Sequence, residues 1–129
     1  MSDFSDSLSL SSSGLQAQSQ RLRHLSENIA NSDTPGYRRK TVAFETVMTG
    51  ATPGAVETGR VRLDRAELEQ IYDPSHPLAD ESGTYAGSNV ELVIELADAR
   101  EAQRSYEANL KMFDQARQMS SSLMDLLRR

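Results

Sequence analysis

The 129-residue sequence has no Cys and no Trp, only four Pro and seven Gly, and two His. Without Cys there are no disulfides and no thiolate metal sites. With hydrophobic residues at 37 % and aromatics at 5 %, little material is available for a large core. No run is long and apolar enough to span a bilayer. The Ser-rich start lacks the apolar core of a cleaved signal peptide. Cationic surplus is also missing. The net charge of −5 disfavours nucleic acid and anionic lipid, since both require a basic face. Length fits one domain.

The few breakers are unevenly placed. All four Pro (35, 53, 74, 77) and six of the seven Gly (36, 50, 54, 59, 83, 87) fall between positions 35 and 87. Gly and Pro punctuate turns and end helices. The chain therefore predicts a mainly α protein: two long terminal helices packed as a coiled coil around a small irregular, β-rich middle. The expected divisions are a disordered start at 1–13, a helix at 14–31, a turn- and strand-rich segment at 32–88 and a helix at 89–129.

In the first flank Leu8, Leu15, Leu22 and Ile29 are spaced by seven. Phe4 and Leu25 occupy the complementary heptad position, but Ser11 and Gln18 do too, so one seam is half polar. Seven Ser among the first thirteen residues compete with helical hydrogen bonding. The second flank opens on Ser88, Asn89 and Glu91, which predicts a capping box, or Asn89 as the N-cap. An apolar stripe follows at Leu92, Leu96, Ala99, Ala102, Tyr106, Leu110, Phe113, Ala116, Met119, Leu123 and Leu127. Its ten steps cover 35 residues, a mean of about 3.5 per step and so the heptad period. A helix from Asn89 to Leu127 would be about 55–60 Å long, too long for so small a compact domain without another long helix beside it.

In the middle, alternation predicts strands at 41–48 and 60–64, with a third at 69–72. Residues 51–55 read as a loop, and 73–83 as an extended, turn-rich loop.

Catalytic chemistry finds no foothold. There is no nucleophile elbow, phosphate loop or dinucleotide fingerprint. Asp73, His76, Asp80 and Glu81 are the best metal-ligand grouping, set against the plainer reading of a solvated polar loop. His24 falls on an exposed polar helix face. Glu91, Glu95, Asp98, Glu101 and Glu107 read as a solvated helix face. The basic run Arg38-Arg39-Lys40 faces either solvent or the carboxylates of a neighbouring subunit.

One segment is more specific. Asn28-Ile29-Ala30-Asn31-Ser32-Asp33-Thr34-Pro35-Gly36-Tyr37-Arg38 resembles the N-terminal signature of flagellar rod, hook and hook-associated proteins. Its physics is coherent. Ile29 and Ala30 finish the helical stripe, Asn31 is suited to end the helix in a left-handed conformation, and Thr34-Pro35-Gly36-Tyr37 predicts a type II turn. Residues 71–83, 89–91 and 104–110 are similar to proximal rod members of that family, so the likeness spans about residues 8–127. The serine run is heavier than the family pattern, and the segment from Asn28 to Tyr37 carries no insertion.

The resemblance implies a structural subunit of the flagellar basal-body rod, not an enzyme, with no cofactor or metal, no small-molecule substrate and no membrane insertion. It implies export by the flagellar type III apparatus without a cleaved signal. In the periplasm the chain would assemble with itself and other rod subunits into a helical tube that carries torque, forms the export channel and serves motility. The expected assembly interface is Leu8, Leu15, Leu22, Leu25, Ile29, Leu96, Tyr106, Leu110, Phe113 and Leu123. The expected family motif is Asn28, Ala30, Asn31, Thr34, Pro35, Gly36 and Tyr37. A coiled-coil adaptor or secretion chaperone is the competing reading from another class. An enzyme or metal-binding domain built on the 73–81 loop is a third.

Overall fold

The computed structural model describes residues 2–50 and 52–128; Met1, Ala51 and Arg129, each part of a segment assigned above, lie outside the described residues. Two helices, α1 (Ser2–Ala30) and α2 (Leu92–Leu127), flank six short strands: β1 (Lys40–Thr41), β2 (Phe44–Thr46), β3 (Val56–Thr58), β4 (Arg62–Leu63), β5 (Gln70–Tyr72) and β6 (Thr84–Ala86). None of the described helices is long and apolar enough to cross a membrane.

The helices run antiparallel. Asn28 meets Glu95, Arg21 reaches Glu101 at 3.5 Å, Gly14 lies against Asn109, and Phe4 shares a groove with Met119. Each step toward the start of α1 moves the contact further along α2. Small side chains make the approach close. Ala17 and Ala102 are buried, and a Cβ on Gly14 would come within 3.1 Å of the Asn109 amide. By this register Ser2 lies level with about residue 121, so the end of α2 projects beyond α1 by roughly 9 Å at 1.5 Å per residue.

The strands form three antiparallel two-stranded ribbons, β1 with β4, β2 with β3 and β5 with β6. The first two belong to one long hairpin, with Gly59 N donating to Ala43 O (2.8 Å) across the break between them. This hairpin lies back along α1. Val56 N donates to Ser13 Oγ (3.0 Å), Thr58 Oγ1 bonds Gln20 Oε1, and Gly54 sits beside Leu10. Thus α1 has α2 along one side and the hairpin along another. Ser13 and Gln20, polar positions of α1 outside the apolar stripe, hold the hairpin by hydrogen bonds.

Several expectations change. The first helix begins at Ser2, not at 14; Phe4 and Leu8 are half-buried there, and Ser13 Oγ also donates to Leu10 O. The second begins at Leu92 with Glu91 as its N-cap residue, which makes no side-chain capping bond. The expected caps are engaged elsewhere: Ser88 Oγ donates to Ser32 O, while Asn89 Oδ1 accepts from Arg39 N (2.6 Å) and its Nδ2 donates to Asp64 O (3.0 Å). Asn31 takes no left-handed conformation, for no described residue other than Gly has positive φ. Instead its Nδ2 donates back to Glu27 O (2.8 Å). The predicted strand at 41–48 is broken at Val42–Ala43, and β3 and β6 were not foreseen. Strands of two or three residues are too short to show alternation.

Apolar burial is slight. Among the described residues only Ala17, Leu25 and Ala102 are buried and apolar, whereas Asn28, Ser88 and Glu95 are buried and polar.

Candidate assembly surface and the polar clamp beneath it

The turn after α1 is built as its residues predict. Gly36 takes φ +76°, the value a type II turn needs at its third position, and Tyr37 N donates to Thr34 O (3.2 Å). Thr34 Oγ1 donates to Asn31 Oδ1 (3.0 Å), closing the turn onto the helix end. Gly36 N donates to Ala86 O and Gly87 O, which ties the turn to β6.

The turn sends Tyr37, Arg39 and Lys40 back over α1. There Asn28, fully buried, satisfies four groups. Its Oδ1 accepts from Tyr37 Oη (2.8 Å) and Lys40 N (2.9 Å), and its Nδ2 donates to Lys40 O (2.9 Å) and Glu95 Oε2 (3.3 Å). Glu95 is also fully buried, and its Oε1 accepts from Arg39 Nε. The same guanidinium reaches Asp98 (3.3 Å) and Asp64 (3.7 Å). Burial pulls the Arg39 guanidinium down, but Glu95, Asp98 and Asp64 together hold it above its ordinary value. Burial pushes the Tyr37 phenol up, with Glu27 and Glu95 adding to it. At the rim, Lys40 Nζ and Glu27 pair at 2.7 Å; the hydrogen bond between them lowers the carboxyl and raises the amine.

This clamp corrects the reading of the charged residues. Glu95 is not part of a solvated face but among the most enclosed side chains of the chain. The basic run points inward to its own subunit, with Arg38 bonding Asp64 O and Ala66 O at 3.1 Å each. His24 is mostly covered rather than exposed, its Nδ1 buried without a hydrogen bond and 3.8 Å from Glu27. One signal for Glu95 was present: it is the single carboxylate inside Leu92-Val93-Ile94-Glu95-Leu96-Ala97. The face of α2 turned to α1 runs through Glu95, Asp98, Ala102, Asn109, Phe113 and Ala116, in which polar residues share the seam with two alanines and one aromatic of the apolar stripe.

The stripe itself faces mostly outward. Leu92, Leu96, Leu110, Met119, Leu123 and Leu127 are all exposed, as are Val93 and Ile94. Of the expected interface residues, Leu25 is buried within the subunit. Leu8, Leu15, Leu22, Ile29, Tyr106 and Phe113 are half-buried, and Leu96, Leu110 and Leu123 are open. Of the motif residues, Asn28 is buried, Asn31, Pro35 and Tyr37 are half-buried, and Ala30, Thr34 and Gly36 are exposed.

In the 73–83 loop the polar atoms are engaged locally. Asp73 Oδ1 accepts from Ser75, Asp80 Oδ1 from Ser82 and Thr84, and His76 Nδ1 from Leu78 N (3.1 Å). The His76 ring stacks on Tyr85 at 3.8 Å. Hydroxyl and backbone hydrogen bonds to Ser82 and Thr84 lower the Asp80 carboxyl. No group of three such side chains among the described residues is placed to hold a metal ion.

Comparison with known proteins matches both ends of the chain to one group of families. Residues 8–38 match the flagella basal body rod protein family, and residues 81–126 match the C-terminal family of flagellar basal body rod FlgEFG proteins. The flagellar basal-body rod protein FlgC of Agrobacterium fabrum is 43 % identical over 136 aligned positions, covering 99 % of this chain and 98 % of that protein. FlgC of Aquifex aeolicus is 38 % identical over 88 % of this chain and 89 % of its own, and FlgC of Escherichia coli O157:H7 is 34 % identical over 91 % and 92 %. The chain belongs to the FlgC family of flagellar basal-body rod proteins and is a structural subunit of that rod, not an enzyme.

Proposed function

We propose that the outward face of the α1–α2 pair is the surface through which this subunit assembles, with itself and with other rod proteins, into the proximal part of a helical tube. In that tube the terminal helices form a coiled-coil inner layer, the wall transmits torque, and the lumen serves export. The chain reaches the periplasm through the flagellar type III apparatus without a cleaved signal, its Ser-rich start serving export.

One observation carries the reading. A helix of 36 residues leaves most of its apolar stripe in solvent while only three apolar residues are buried among the described residues. Apolar surface of that extent on a soluble chain marks a contact with another protein. The 3.5-residue spacing suits a helical partner.

The test is Leu110→Asp. Leu110 is 40 % exposed, so the lone subunit tolerates a carboxylate there. In a closed interface the same charge is desolvated without a partner, at a cost of several kcal/mol. The variant is expected to be secreted and folded but absent from purified rods, with motility lost. Normal motility would sink the reading.

A further inference from the structure

The middle of the chain is electrically divided. Residues 38–65 carry Arg38, Arg39, Lys40, Arg60, Arg62 and Arg65 against only Glu45, Glu57 and Asp64. Residues 66–99 contain no Lys or Arg at all, while carboxylates recur from Glu67 to Asp98. The clamp neutralises part of this, through Arg39 with Glu95, Asp98 and Asp64. It leaves two unpartnered surfaces. Along β4, the side chains of Arg60, Arg62 and Arg65 are exposed and form no ion pair among the described residues, and Val61 and Leu63 are exposed with them. At the β5–β6 end, Glu81 is exposed and unpaired, Asp80 is exposed beside it, and Tyr72 and Leu78 are open at 72 % and 63 %. These ribbons do not pair with each other within the subunit.

We infer that the β4 ribbon face is a docking site for the 73–83 loop of a second copy of this chain. Charge complementarity selects the occupant: Arg60 and Arg62, which alternate onto one side of the β4 ribbon, face a loop that carries Asp80 and Glu81. Opposite charges across an interface set register and exclude wrong partners. Two different patches meeting make a heterologous contact, which repeats from copy to copy around a ring or along a helix. The contact lies outside the helical pair, and so adds a lateral link to the assembly proposed above, on which it rests.

Charge exchange tests it, read as incorporation of the full-length chain into rods purified from cells whose only copy is the variant. Arg62→Glu and Glu81→Arg are each expected to lower incorporation about tenfold, since each sets like charges face to face. The two changes together restore it to within about threefold of the parent, because the pair is re-formed with its signs reversed. Arg60→Glu with Glu81→Arg repeats the exchange at the other cation on that side. All three side chains are exposed and form no ion pair among the described residues, so the thermal midpoints of the purified variants should match the parent and exclude misfolding. If neither double variant recovers what the single changes lose, the inference is overturned. Single reversals without effect, alongside loss of assembly in Leu110→Asp, would remove the lateral contact and leave the helical assembly surface standing. Full assembly of Leu110→Asp would instead remove that surface.

Discussion

Asn28 and Glu95, 67 residues apart in the chain, meet at 3.3 Å with no solvent exposure on either. One ends the first helix and the other begins the second. Tyr37 and Arg39 from the intervening turn close on the same two side chains. The packing of the helix pair at this end is thus set by polar groups rather than by apolar bulk.

Replacing Asn28 therefore has a large effect for a non-charged side chain. Asn28→Ala removes the partner of the Tyr37 hydroxyl and of the Lys40 N–H and C=O, all in part-buried hydrogen bonds. Leaving such groups unsatisfied costs about 1–3 kcal/mol each before water enters. The expected loss of about 3 kcal/mol is measurable by denaturant titration. Asn28→Asp should be at least as damaging, because it removes the donor to Glu95 and sets a second carboxylate against it.

Breaking the buried ion pair from one side leaves a charge without its partner. Glu95→Leu is expected to lose about 3–5 kcal/mol. Arg39→Met with Glu95→Leu removes both charges and should recover most of that. A double-mutant cycle by thermal melting checks it, and additive losses would show that the two groups are not coupled.

The Lys40–Glu27 pair predicts a pH dependence. The lowered Glu27 carboxyl contributes stability that is fully present above the ordinary carboxylate value of 4.5 and is lost as pH falls through the lowered folded value. The raised Lys40 amine contributes stability present below its ordinary 10.5 and lost as pH rises through the raised value. The stability gap between parent and Glu27→Gln should be flat near neutrality and shrink on acidification below 4.5. Denaturant titrations at pH 7 and in acid decide it.

Gly36→Val separates folding from assembly. A Cβ at Gly36 meets nothing within 4 Å, so its cost is purely the left-handed backbone, at roughly 1–3 kcal/mol for a β-branched residue. Gly36→Asn should be milder, since Asn tolerates that region. Gly54 also has positive φ, +91°, so Gly54→Val is expected to destabilise comparably. Gly36 joins the helix end to β6, so the two variants should have similar melting points while only Gly36→Val loses rod incorporation. Equal assembly of both would show that the turn does not set the path of the chain.

The isolated subunit should be incompletely helical. The end of α2 beyond about residue 121 has no helical neighbour among the described residues and carries Leu123, Met124, Leu126 and Leu127 in solvent, and a helix segment without packing is marginal. Amide hydrogen exchange of dilute monomer should show fast exchange from about residue 120 onward and protection at Ala102. Uniform protection along α2 without self-association would contradict this.

The sequence by itself determined the order helix, broken middle, helix, because Gly and Pro act locally and their clustering between 35 and 87 leaves no other arrangement. It also determined the Thr34–Tyr37 turn, where the Gly36 φ is a property of one residue. It determined the heptad spacing of α2, though not which side of that helix meets α1. Tertiary structure decided that. Glu95 and Asp98 turn inward, and Leu96, Leu110 and Leu123 turn out, because a buried carboxylate is tolerable only where a guanidinium already waits for it. Asn89 likewise looks like a cap until Arg39 and Asp64, distant in sequence, take its amide. Periodicity reports the geometry of a single element. The partner of a polar side chain depends on how separate elements are placed, and no local pattern encodes that.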